Sequence, residues 1–96
     1  MTEASPSMFP LGQIAATPGA LDALGREGIG AETLLNRHAA GDWGELCADD
    51  WRENELSLRE GFRILSAYRL PRTGAKIWVI TEADRSSTCI LRPSEY

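Results

Sequence analysis

Two hydrophobic periods divide this chain. Up to about Gly61 the apolar residues recur at helical spacing between glycine stops, and beyond it they alternate with period two. Thr17-Pro18 marks a helix start: the threonine can accept from free N–H groups, and proline at the first helical position has no N–H to leave unpaired. Leu21 and Leu24 follow at i, i+3 spacing, and Gly28 ends the helix. A second short helix is predicted over Ala31 to Ala39, with Leu34, Leu35 and His38 on one face and Gly41 as its stop. Asp42-Trp43-Gly44 reads as a turn whose tryptophan folds back onto the core. Asp49 or Asp50 is predicted to cap a third helix, with Asp50 and Glu53 as an Asp-x-x-Glu variant of the capping box, and Gly61 closes it.

Past Gly61, the residues Phe62, Ile64, Ser66, Tyr68 and Leu70 fall on one face of a predicted strand, and Arg63, Leu65, Ala67 and Arg69 on the other. Pro71 to Gly74 is a turn cluster. Lys76 to Glu82, rich in branched and aromatic residues, is the next strand. Ala83 to Ser86 connects it to a third strand over Ser87 to Arg92, which Pro93 ends. Links this short join antiparallel neighbours. Phe9 to Ala16 can form one further short strand, which Pro10 places at an edge. The expected fold is α+β: two or three short N-terminal helices packed on an antiparallel meander of three to four strands. Residues 1–8 read as a flexible arm and 9–96 as a single domain.

Composition changes this picture little. With 43% hydrophobic and 25% charged residues the chain sits at the globular average. No apolar run is long enough to cross a bilayer, and no basic-then-apolar leader opens the chain, so no membrane is expected and the cytoplasm is the default compartment. Two cysteines, Cys47 and Cys89, make no disulfide framework and are expected as reduced thiols. Charge matters more. Residues 1–48 carry two arginines against six acids, a net of 2 − 6 = −4, whereas residues 49–96 balance eight against eight. The densest acidic stretch holds Asp42, Glu45, Asp49, Asp50, Glu53, Glu55 and Glu60 against Arg52 and Arg59. Such a face repels phosphate, so direct binding to duplex DNA is disfavoured. It is either a solvated helix face or an acidic docking surface for a basic partner.

Four segments carry a resemblance: FPLGQIAATPGAL from Phe9, RHAAGDWGEL from Arg37, ENELSLREGFRILSAY from Glu53 and IWVITEADRSST from Ile77. Together they resemble a family of short, largely uncharacterised bacterial proteins carried on plasmids and integrated mobile elements. Cys89 and Arg92 stand where that family usually has threonine and leucine. The resemblance implies roles in host–element conflict, such as blocking a defence nuclease (restriction or CRISPR) or acting as a toxin. It implies no particular activity or cofactor.

His38 is the only histidine and the obvious general acid or base, though a histidine beside Leu34 and Leu35 can equally be a structural residue at the helix end. Arg85, on a turn beside hydroxyls, could hold a phosphate oxygen, or could pair with Glu82 or an acid of the third helix. His38, Arg85, Thr88 and Tyr68 would together make a set for RNA cleavage, the histidine taking the 2′-hydroxyl proton and the arginine stabilising the phosphorane. Against it, ribonucleases are commonly basic and this chain is acidic. No metal is expected: His38, Cys47 and Cys89 lack paired zinc spacing, and Asp42, Glu45, Asp49 and Asp50 lack the alternation of a calcium loop. The three tryptophans are expected in or against the core, but Trp51 among the acids would be an interface anchor if exposed. The favoured expectation is therefore a non-enzymatic protein that binds a basic partner through Asp42, Glu45, Asp49, Asp50, Trp51 and Glu53. A toxin-like ribonuclease and a homodimeric accessory protein pairing through a sheet edge are the alternatives.

Overall fold

A computed structural model describes residues 7–96. The expected arm falls largely on residues 1–6, outside the described residues; Met8 already donates its backbone N–H to the Ala39 carbonyl, at 2.8 Å. The elements follow as β1 (Gln13–Ala16), α1 (Pro18–Glu27), α2 (Ala31–Ala39), α3 (Ala48–Glu60), β2 (Ile64–Arg69), β3 (Lys76–Thr81) and β4 (Ser87–Leu91), with a closing 3-10 turn over Pro93–Glu95. The class is α+β as expected.

The topology differs from a simple meander. The sheet order is β1-β4-β3-β2; β2, β3 and β4 run antiparallel in sequence, but β1 lies parallel to β4. The helices therefore follow the first strand instead of opening the chain, and they form the long crossover a parallel return needs. Gly12 makes the join: with φ of +68°, a Cβ there would lie 2.3 Å from the Ser86 carbonyl oxygen, so only glycine lets the chain pass close to the β3–β4 turn.

α1 begins and ends as its sequence specifies. The Thr17 hydroxyl accepts from Ala20 N–H at 3.2 Å, Pro18 takes the first turn and Gly28 closes with φ of +80°. Its buried face is Ala20, Ala23, Leu24 and Glu27, so Leu21 points outward, 56% exposed, and does not share the face of Leu24. The Glu27 carboxylate, sealed under the β2–β3 turn, accepts from the N–H groups of Arg72 and Thr73 and from the Thr73 hydroxyl. Burial would raise its pKa, but these bonds outweigh burial and hold the carboxyl below its ordinary range. At the other end of the chain, Glu95 accepts from Thr17 and from Gly19 N–H, which ties the C-terminal turn to the start of α1.

α3 starts two or three residues earlier than the expected Asp49 or Asp50 cap. Its N-cap is Cys47, without a side-chain cap bond, and Asp49 and Asp50 occupy the first turn, where the helix dipole favours acids. Its inward face is polar. Asn54 bonds both backbone groups of Leu65, accepting from N–H at 3.2 Å and donating to the carbonyl at 2.5 Å. Nearby, Ala67 exchanges bonds with the Trp43 carbonyl and the Glu45 N–H, at 3.0 and 2.6 Å. Gly44, at φ of +77°, permits that approach, because a Cβ there would meet the Ala67 oxygen at 2.0 Å.

The helices cover one face of the sheet, and the core lies between. One cluster joins Ala20, Leu24, Leu34, Tyr68, Ile77, Val79 and Ile90; a second joins Phe9, Trp43 and Ile64 with half-buried Trp51. Phe62, expected at the start of the first meander strand, lies before β2 and is 54% exposed.

Candidate functional site

Period two on the strands and helical spacing on α2 bring a polar group to the centre of the molecule. Ser66, Thr81 and Thr88 face the helices from β2, β3 and β4, and His38 meets them from the last turn of α2. All four are fully buried. His38 Nδ1 lies 2.5 Å from Ser66 Oγ and Nε2 lies 2.9 Å from Thr81 Oγ1; Thr81 Oγ1 lies 2.6 Å from Thr88 Oγ1. Thr88 Oγ1 reaches the Leu11 carbonyl at 2.7 Å.

Donor counting orients the whole chain. The Leu11 carbonyl can only accept, so Thr88 donates to it. Thr88 must then accept from Thr81, whose proton is thereby used, and Thr81 must accept from the histidine. His38 therefore carries a proton on Nε2, and in the neutral ring that burial favours, Ser66 donates to Nδ1. Burial pushes the imidazole pKa down to about 4, and the cation of Arg85 adds to the shift. Phe9 and Trp43 close the site edge-on, with ring centroids 5.3 and 5.9 Å from the imidazole. Among the described residues no buried side-chain polar atom lacks a partner.

Of the four residues considered for RNA cleavage, His38 and Thr88 are brought together, and the set forms no accessible site. His38 and Thr88 are joined through Thr81 and sealed from water. The Tyr68 hydroxyl is spent on the Asp42 carbonyl at 2.6 Å, and burial pushes its pKa well up. Arg37 stacks on the Tyr68 ring, 4.5 Å from its centroid. Arg85 bonds carbonyls, not a carboxylate: Phe62 at 2.7 Å, Ser57 at 3.0 Å and Glu82 at 3.1 Å. It thereby ties the C-terminal end of α3 to the β3–β4 turn, and its own φ is +60°. Ser66 pointing at a histidine nitrogen has the spacing of a nucleophile–base pair, but no carboxylate orients the ring and no surface reaches it.

The acidic stretch lies outside, on α3 and the segment before it. Asp42 pairs with Arg37 at 2.7 Å and accepts from Gly44 N–H; the Arg37 bond leads in holding its pKa down. Glu45 pairs with Arg69 at 3.3 Å, and Asp49 with Arg52 one turn on. Glu55 accepts from the Trp43 indole at 2.9 Å. Asp50 and Glu53 are exposed and carry no ion pair among the described residues. Trp51 is half-buried against Trp43, at 6.4 Å between ring centroids, so it supports the patch from beneath instead of standing out as an anchor. A cleft of about 230 Å³ borders the acids, with Glu45, Asp50, Lys76 and Trp78 in its wall.

Ser66 and Thr81 are the residues the sequence did not single out. Their only signal was a hydroxyl on the inward face of an apolar strand, which acquires meaning once the histidine faces it. Both cysteines are free, Cys47 exposed and Cys89 half-buried, and no three metal-ligating side chains gather among the described residues. Nor is any helix there long and apolar enough to cross a membrane. No family model, no curated protein and no solved structure matches this chain.

Proposed function

We propose that this protein is a non-catalytic binding domain that presents the exposed face of α3 to a positively charged protein surface. The observation that carries this reading is the pairing pattern of the acids. Asp42, Glu45 and Asp49 are tied to neighbouring arginines, whereas Asp50 and Glu53 stand exposed and without ion pairs among the described residues. Unpaired exposed carboxylates on a rigid helix steer and orient a basic partner, because no internal bridge has to break first. The cleft beside them suits a basic side chain, which would meet Asp50 between the Trp78 wall and Glu45, the latter already bridged to Arg69, with Lys76 opposing it at the rim. A resemblance to proteins of mobile elements directs the first search for that partner to host defence complexes, where such a domain would act as an inhibitor.

The test is capture of partners from nuclease-treated lysate by the wild type and by an Asp50→Lys, Glu53→Lys variant. The reading expects a stoichiometric protein that the variant loses, with the fold intact by circular dichroism. Equal capture by both proteins would exclude the α3 face as the contact. The ribonuclease reading is weaker, since its histidine lies behind Phe9 and Trp43.

A further inference from the structure

The two edges of the sheet differ. On β2 the outward backbone groups in the middle of the strand are taken: those of Leu65 by the Asn54 amide and those of Ala67 by Trp43 and Glu45. On β1 the N–H groups of Gln13 and Thr17 point at β4, bonding Ser86 at 3.0 Å and Ile90 at 2.9 Å. The pleat then turns the N–H and C=O of Ile14 and Ala16 away from the sheet, and among the described residues nothing bonds them.

β1 also lacks the usual guards of an open edge. Gln13, Ile14, Ala15 and Ala16 include no lysine, no proline and no charge. The neutral zone is wider than the strand, because no charged residue occurs from Ala4 to Leu21. Within it Met8, Ile14 and Leu21 are 52%, 48% and 56% exposed. A chain of net charge −4 repels its own copies over much of its surface, and β1 itself brings no charge to a meeting of two copies, the Glu95 carboxylate beyond its end being bonded to Thr17 and Gly19.

We propose that β1 pairs antiparallel with β1 of a second copy across a two-fold axis, joining the two sheets into one. The outward-facing groups set the register: Ile14 lies opposite Ala16 of the second copy, and Ala16 opposite its Ile14. Each copy offers two N–H groups, so the pairing closes 2 × 2 = 4 backbone hydrogen bonds. Ala15 then sits on the axis facing its own counterpart as the closely spaced pair, with Cα atoms about 4.5 Å apart. A second copy fits better than a foreign strand because the register is self-complementary and the edge offers no charge with which to select another sequence.

The test combines sedimentation of the full chain over a micromolar-to-millimolar series with amide exchange at Ile14 and Ala16. A reversible dimer is expected, with both amides gaining protection as concentration rises. Ile14→Lys, which places a charge on an exposed edge position, should weaken association by about tenfold or more. Ile14→Pro removes an outward N–H while sparing the bonds to β4, and should act in the same direction. A monomer at every concentration would overturn the proposal, as would a dimer undiminished in both folded variants. Protection of these amides that is independent of concentration would overturn it too, by showing the edge covered within one chain; protection seen only with a foreign protein would assign the edge to that partner.

Discussion

Arg85 occupies a left-handed backbone position that in such hairpin turns usually falls to glycine or asparagine. Holding a β-carbon there costs about 1–2 kcal/mol, and the guanidinium offsets it by bonding the carbonyls of Ser57, Phe62 and Glu82. Two substitutions separate these effects. Arg85→Ala keeps the strain and loses the bonds, whereas Arg85→Gly loses both, so the alanine variant should be less stable than the glycine variant by about 1 kcal/mol in urea denaturation. Glycine as the worse of the two would show that the turn is unstrained. The sequence placed Arg85 on this turn beside hydroxyls but offered it a phosphate oxygen, Glu82 or an acid of the third helix, because three carbonyls from separate segments have no trace in a linear pattern. His38 was legible in the same partial way. Its lone occurrence beside Leu34 and Leu35 marked an inward face, while its partners Ser66 and Thr81 lie 28 and 43 residues further on.

Among the elements, the hairpins β2–β3 and β3–β4 and the caps of α1 were readable because their causes are local: period two, a Pro-to-Gly turn cluster, Thr-Pro at a start and glycine at a stop. The parallel pairing of β1 was not readable, since it depends on Gly12 meeting Ser86 across most of the chain. Attachment of α3 also escaped the hydrophobic pattern, because Asn54 and Ser57, not an apolar stripe, form its buried face. Asn54→Ala removes both bonds to Leu65 and leaves an edge N–H and C=O unpaired under the helix. It should cost about 2 kcal/mol, read as a shift in the urea midpoint. A loss within about 0.5 kcal/mol, the range of an ordinary surface change, would mean that packing of Trp51 and Leu58 suffices to hold α3.

The molecule as a whole places its reactive-looking residues inside and its uncompensated charge outside, and the functional reading rests on that division. The interior chain also couples stability to pH. His38 is held neutral with a pKa of about 4, against an ordinary value of 6.5 in the unfolded chain. Between those values the unfolded state binds the extra proton, so this contribution is complete above pH 6.5 and is lost as pH falls towards 4. The full difference is about 3 kcal/mol. Because the chain has one histidine, a single set of imidazole signals reports the site. The decisive measurement is a pH titration of that imidazole by ¹H–¹⁵N NMR. The account predicts an Nε2–H tautomer that stays neutral through about pH 5 and titrates near 4 or with unfolding. A ring that titrates close to 6.5 in the folded protein, or carries its proton on Nδ1, would contradict the sealed chain and return His38 to the list of residues able to do chemistry.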